Sequence, residues 1–350
     1  MYSYYANTAD PNLVFVSSIK PAQCKIDIIQ QGKNTLQIYS NLTLRIRPAN
    51  KEDRQDVLRF CNDTFEWGDY IDQVWDLWYL DRNGLLIVVE EEEQENNILR
   101  SRRQSSVIAV SHVSLCPNKN IWLEGIRVNP DHRRRSIATA LLNKMISYGK
   151  ERGAREASAV VAYNNIASQL MMEKMDFVVI SRWNYYSINK IPKRVGKLEA
   201  RPKVATLNDI EMICNYLKQS ETYKSSGETY VSSWRWYSLD LYSDALPDLV
   251  KNKKVLVIEN ERIEGVAIIN KDIPWNINNN NNIFQIVYLD ASDIFLLEEI
   301  LSFAMNLLHS EGEIYKKIQV FSPQATYIST VMQKLGIESP EQFLLYRRKI

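Results

Sequence analysis

The chain has 350 residues, enough for two domains of ordinary size, each with its own core. Its 43 Lys and Arg balance 42 Asp and Glu to a net charge of +1, so no global field is present to hold a nucleic-acid backbone and any basic site is local. Four cysteines without a CxxC pair, three histidines without zinc spacing, no apolar run of about 18 residues and no signal-like start exclude a disulfide scaffold, a metal centre and a membrane span, and lead to the expectation of a cytoplasmic protein.

Residues 1–41 are sparsely charged and weakly periodic and read as an N-terminal extension. The segment LTLRIRPANKEDRQDVLRFC predicts a strand, a Pro turn and a helix, opening a first domain over 42–190. Next, FEWGDYIDQVWDLWYLD predicts a helix with Trp67, Ile71, Val74 and Trp78 on its apolar face and Asp69, Asp72 and Asp76 on another. Two strands follow, GLLIVVEE and SVIAVSHVSL, joined by an exposed charged turn. IWLEGIRV predicts a third strand; it ends in NPDHRRR, and a helix starts at Ser136. A strand at 156–163 and a helix at 166–175 complete this half. A basic linker over 191–202 leads to 203–350, which repeats the outline: RPKVATLNDIEMICNYL echoes RIRPANKEDRQDVLRFC, KKVLVIENERIEGVAIIN supplies the hairpin, and FQIVYLDASDIFLLEEILSF stands where the third strand and helix stood. The NINNNNN run near residue 280 reads as a polar loop.

A strand running into a Pro turn, three arginines and a helix start is the layout of a pyrophosphate site, because the first amides of a helix lack intrahelical acceptors and sit at the positive end of its dipole. The order Val128, Pro130, Arg133, Ser136, Ala138 resembles the V-x-P and [QR]-x-x-G-x-[GA] signature of the GCN5-related N-acetyltransferases (GNAT). Downstream, Asn165, Ser168, Met171, Met172, Glu173, Lys174, Met175, Asp176 and Phe177 follow that family's N-x-x-[AS]-x-x-L-Y-E-K-x-G-F pattern. Three positions depart from it. Ser136 stands at the first Gly, Met172 at a Tyr often used to protonate the leaving thiolate, and Asp176 at the Gly before Phe. A Cβ at Ser136 takes room near phosphate, although its hydroxyl can donate a hydrogen bond there.

The resemblance implies an α/β (α+β) fold of two GNAT-like domains, each a mixed, mostly antiparallel sheet flanked by helices, with a splayed strand pair for acetyl-CoA. It implies acetyl-CoA as co-substrate, no metal, and a cofactor site formed by Ile126, Arg127, Val128, Arg133, Arg134, Arg135, Ser136, Ile137, Ala138, Thr139, Asn165 and Met172. Residues 42–195 alone are then expected to bind acetyl-CoA. The second copy has neither Arg nor Gly around Asp290 to Glu299 and carries Asp290, Asp293, Glu298 and Glu299 instead, so it would repel a pyrophosphate and reads as degenerate.

Strand alternation puts Glu124 on the face of Val128 and Arg127 on the opposite one. Related enzymes often use a strand glutamate to deprotonate the incoming ammonium, since only the neutral amine attacks a thioester; the competing reading for Glu124 is an ion pair. Tyr163 is a candidate acid or a packing residue. Acidic and aromatic residues at Glu66, Trp67, Asp69 and Tyr70, with Tyr230 and Trp234 in the second copy, suit a cationic acceptor or, equally, a packed helix with a solvated face. No Cys or Ser lies in a nucleophile motif, so the expected reaction is direct transfer to a small amine, amino acid or peptide amine, without nucleic acid or membrane as partner. A CoA-binding regulatory module is the alternative.

Overall fold

The computed structural model describes residues 35–38, 42–62, 64, 68–93, 105–189, 198–274, 282–308, 315–324, 326–337 and 340–350. Glu66 and Trp67, most of the extension and linker, and most of the asparagine run lie outside these. The chain forms two compact units that are cut differently from the expected halves: one comprises Met1–Leu115, Lys119–Ala157 and Ile350, the other Cys116–Asn118 and Ser158–Lys349.

In the first unit, β1 (Thr35–Ile38), β2 (Leu42–Pro48), β3 (Gly84–Glu93), β4 (Ser105–Cys116) and β5 (Asn120–Val128) lie side by side in chain order, the first four pairing antiparallel. Part of the expected extension therefore belongs to the sheet. Helices α1 (Asp53–Cys61) and α2 (Ile71–Tyr79) bury Val57, Cys61, Ile71, Trp75 and Trp78 against Leu86, Val88, Val107 and Val110. The buried face of α2 runs through Trp75, whereas Val74 is only partly covered. Asp72 and Asp76 lie on its exposed side, both bound by Arg54. Consecutive burial over Leu86–Val89 shows that both faces of the sheet are covered. On α3 (Ile137–Glu151), Gly149 sits where a Cβ would lie 2.6 Å from Ile121, so this helix lies close on β5.

The second unit holds β6 (Glu156–Ala162, from Ser158 on), α4 (Ile166–Lys174), β7 (Val178–Ile188), β8 (Lys203–Val204), α5 (Ile210–Gln219), α6 (Glu221–Ser225), the hairpin β9 (Thr229–Ser232) and β10 (Arg235–Ser238), α7 (Ala245–Lys251), β11 (Val255–Glu259), β12 (Ile263–Asn270), β13 (Ile283–Ala291), α8 (Ile294–Leu307), β14 (Lys317–Pro323), α9 (Thr326–Lys334) and β15 (Glu341–Lys349). Its large sheet runs β6-β15-β7-β14-β13-β12-β11-β8. Helices α8 and α9 bury Leu297, Ile300, Leu301, Ala304, Val331 and Met332 on one of its faces. Strands β13 and β14 are parallel and paired only from Ile283↔Lys317 to Ile286↔Val320; beyond that β13 follows β12 and β14 follows β7, leaving a fork.

The repeat is visible in one ionic device. Arg47 binds Asp53 (2.7 Å) and Glu90 (2.8 Å) while Asp53 accepts the Asn50 amide (2.7 Å). In the second half Lys203 binds Asp209 (3.0 Å) and Glu259, and Asp209 accepts the Thr206 amide (2.7 Å). Each copy thus fixes its first strand to its first helix with a cation, a capping Asp and a distant Glu.

The last strand is what joins the halves of the sequence. β15 lies between β6 and β7, pairing antiparallel with β7 from Glu341↔Tyr185 to Arg347↔Val178, and the Tyr163 amide donates to the Gln342 carbonyl (2.8 Å). A fragment ending at residue 195 lacks that strand and leaves the β6 and β7 edges open, so the expectation that 42–195 stands alone does not fit this topology. Deleting residues 341–350 is expected to abolish the cooperative urea transition followed by circular dichroism. A parental midpoint and slope in the truncated chain would contradict the strand assignment.

Candidate active site

Strand β5 owes its shape to one glycine. Gly125 has φ +67°, and a Cβ there would stand 2.4 Å from the Trp78 indole, so both conformation and space demand glycine. A left-handed residue inside a strand breaks its alternation. Strict alternation, on which the opposite placement of Glu124 and Arg127 was expected, therefore does not run through this stretch. Burial is the main cause pushing the Tyr70 hydroxyl up, and the nearby Arg127 partly opposes it.

Arg127 binds Asp69 at 2.7 Å and lies over the Tyr70 ring at 5.2 Å. Burial disfavours its charge, yet Tyr70 and the hydrogen bond and charge of Asp69 outweigh that and raise its pKa. Asp69 also accepts the Ile71 amide (3.2 Å), which fixes the entry to α2. Its charge is matched by Arg127 and its side chain is buried, so Asp69 holds the strand to the helix instead of standing open to a cationic acceptor.

Glu124 occupies a built seat. Its Oε1 is 2.9 Å from Nδ1 of the buried His112 and its Oε2 accepts from Trp122 Nε1 at 3.1 Å. His112 stacks on Trp78, centroids 5.1 Å apart and planes 7° from parallel. Behind it, Asp81 Oδ2 lies 3.5 Å from His112 Nε2 and accepts from the Ser114 hydroxyl (2.6 Å). Sequence reading missed His112 and Asp81. They come from β4 and from the turn before β3, and no spacing in the chain pairs them with Glu124. Gly125 inside an apolar strand was the available signal of an irregularity there.

After Val128 the chain turns at Asn129, whose side chain accepts from the Asp131 amide (3.1 Å). Arg134 and Ser136 both have positive φ, +62° and +56°. Alternation of left-handed and ordinary residues turns successive amides toward one concavity, the geometry that suits an anion. Ser136 is the N-cap residue of α3, but its hydroxyl makes no capping bond, so the first-turn amides of Ile137, Ala138 and Thr139 have no acceptor from within the helix or from its cap. The three arginines differ. Arg133 Nε donates to the Val128 carbonyl (3.3 Å), Arg135 is 3.6 Å from Glu91, which also binds His132 (2.9 Å), and Arg134 is exposed.

The matching end in the second unit is closed from within. Asp293 caps α8, its carboxylate accepting from the Leu296 amide at 2.9 Å. Asp290 is buried against the hydroxyls of Ser220 (2.5 Å) and Tyr288 (3.2 Å); burial raises its pKa and these hydrogen bonds oppose the rise. Glu298 pairs with Lys334, and Glu299 accepts from the Ala200 amide (3.0 Å). The four acids are thus structural partners of their own helix and its neighbours.

Other expected site residues lie in the second unit. Asn165 caps α4 through the Ser168 amide (3.1 Å). Met172 is buried and Tyr163 is exposed at 48% with Arg182 over its ring. Trp234, at φ +64° in the hairpin turn, packs on Tyr185, Phe343 and Phe321, the first β14 residue beyond the fork. Tyr230 lies beside Tyr237, its hydroxyl pushed up to about 12 mainly by burial. Among the described residues no group of three His, Cys, Asp or Glu could hold a metal ion, and no helix is long and apolar enough to cross a membrane.

Residues 52–177, about a third of the chain, match the family model of the acetyltransferase (GNAT) family. No curated protein matches the chain. Its fold is similar to that of a GCN5-related N-acetyltransferase from Sphaerobacter thermophilus, with a TM-score of 0.55 at 10% identity, covering 87% of this chain and 95% of that one. It is also similar to a region of a fungal multi-domain β-N-acetylglucosaminidase titled as a GCN5-related glucosamine N-acetyltransferase, with a TM-score of 0.54 at 12% identity over 89% of this chain and 39% of that one.

The left-handed backbone explains two of the departures from the family pattern. Ser136 and Asp176, the positions where the family carries glycine, have φ +56° and +59°. Ser136→Gly should stabilise the unliganded chain by about 0.5–1 kcal/mol in urea unfolding, because the side chain's left-handed strain is removed. Ser136→Val should destabilise it irrespective of any ligand. A Val variant as stable as the parent would contradict the turn geometry.

Proposed function

We propose that the protein is an acetyl-CoA-dependent N-acetyltransferase acting on a primary amine of a small molecule, amino acid or peptide. The observation that carries this reading is the uncapped, left-handed entry to α3, set against the self-capped entry to α8. One end offers amides to an external anion; the other has supplied its own. The family match over 52–177 supports the acetyltransferase class.

Acetyl-CoA would supply the thioester carbonyl that the amine attacks. In this chain the amides from Ser136 to Thr139 and the exposed Arg134 fit its pyrophosphate, and the Val128 amide, by family resemblance, donates to the oxygen that gains charge. Glu124 is the base. Its two oxygens are oriented by His112 and Trp122, which fixes the carboxylate for taking a proton from the acceptor ammonium. A thiol of pKa about 8.5 leaves without full protonation more readily than an alkoxide, so Met172 in place of the family tyrosine does not stop the reaction. A purely regulatory CoA-binding module would have no use for a carboxylate seated this way.

The test is thiol release from acetyl-CoA against a panel of amino acids, polyamines, aminoglycosides and peptides. With the acceptor found, Glu124→Gln should lower kcat by about 10² to 10⁴, less at high pH, and leave acetyl-CoA affinity unchanged. Parental turnover at neutral pH in the Gln variant would remove Glu124 from the base role; no turnover with any acceptor would favour the regulatory module.

A further inference from the structure

The seat of Glu124 contains more than orientation requires. His112 is fully buried, clamped flat on Trp78, and stands between two carboxylates, with Nδ1 2.9 Å from Glu124 and Nε2 3.5 Å from Asp81. Both carboxylates are themselves only part-buried. Nε2 has no hydrogen-bond partner at this separation. Two nitrogen-to-carboxylate contacts need two protons to be satisfied, and a neutral imidazole carries one. With the ring proton on Nε2, toward the Asp81 oxygen that already accepts from Ser114 (2.6 Å), a bare Nδ1 faces the Glu124 carboxylate. A second proton entering the trio resolves that mismatch. Gly84 keeps the path short, since a Cβ there would stand 2.5 Å from Asp81 Oδ2 and 2.6 Å from His112 Nε2.

We infer that His112 is a positioning residue that carries the proton collected by Glu124 on to Asp81. Glu124 takes a proton from the acceptor ammonium and gives it to Nδ1. The imidazolium so formed releases the proton on Nε2 to Asp81 Oδ2, which delivers it to water. No electrons move, and proton exchange with solvent through the two part-exposed carboxylates restores the starting tautomer. The groups that bias the trio are Arg127 and Trp122 on β5, Asp69 and Tyr70 before α2, Ser114 on β4 and, on α3, Tyr148, on which Asp81 acts.

The inference rests on the reading of Glu124 as base, and the experiment separates the two. In the full chain, the ring-nitrogen signals of His112, assigned by their loss in His112→Gln, are followed against pH by NMR. Both Glu124→Gln and Asp81→Asn should shift that titration. In turnover with the acceptor identified by the panel, Asp81→Asn should lower kcat at least tenfold at neutral pH, recover toward parental rates at high pH, and leave KM for acetyl-CoA unchanged. A His112 titration indifferent to Asp81→Asn, or a kcat pH profile of Asp81→Asn that overlays the parent, would overturn the relay. A parental Glu124→Gln turnover removes the base and the relay together, while the NMR coupling would still report the contacts. Because Asp81 is part-exposed and Asn keeps an acceptor for Ser114, this variant stays informative if His112→Gln fails to fold.

Discussion

The proposed function depends on the entry to α3 being open to an external anion. A helix start carries several amides without acceptors and the positive end of a dipole, and it must find negative charge or water. The second unit meets that need with Asp293, a carboxylate inside its own chain. In the first, the cap residue Ser136, at φ +56°, makes no side-chain capping bond. The same duplicated architecture has thus been given two electrostatic outcomes by a few residues in one turn. Everything proposed for chemistry in this protein depends on the first of them.

A second constraint seats Glu124, the proposed base. Gly125 lets the Trp78 indole reach the backbone of β5, and Trp78 in turn fixes the plane of His112. Replacing Gly125 by any residue with a Cβ would push on the indole, then on the imidazole, then on Glu124. Packing and proton chemistry are therefore one structure here: the aromatic contact that fills space under the strand also holds the carboxylate oxygens in place. Arg127 and Asp69 pin the other end of the same stretch, a buried ion pair beside the proposed base.

Local patterns in the sequence revealed the elements and the repeat, since strand runs, capping residues and helix periods are short-range signals. The order of Val128, Pro130, Arg133 and Ser136 likewise identified the turn. What could not be read were relations made by tertiary placement. Nothing in the segment near residue 345 indicates that it lies between β6 and β7, because a strand's partners depend on topology and not on its own period. The alternation assumed for β5 is interrupted by one residue, as it holds only while every φ is extended. Asp69 looked like part of a cation site and is the buried partner of Arg127, a contact from another element. His112 carried no signal at all, being one histidine in an apolar strand.

The account turns on one helix entry being open and its counterpart closed. Isothermal titration of the full chain with acetyl-CoA measures that directly through stoichiometry. One molecule per chain is predicted, with affinity lost at least tenfold in Ser136→Asp, where a carboxylate in the turn would compete with the incoming phosphates. Two molecules per chain, or one whose affinity is indifferent to Ser136→Asp, would contradict it.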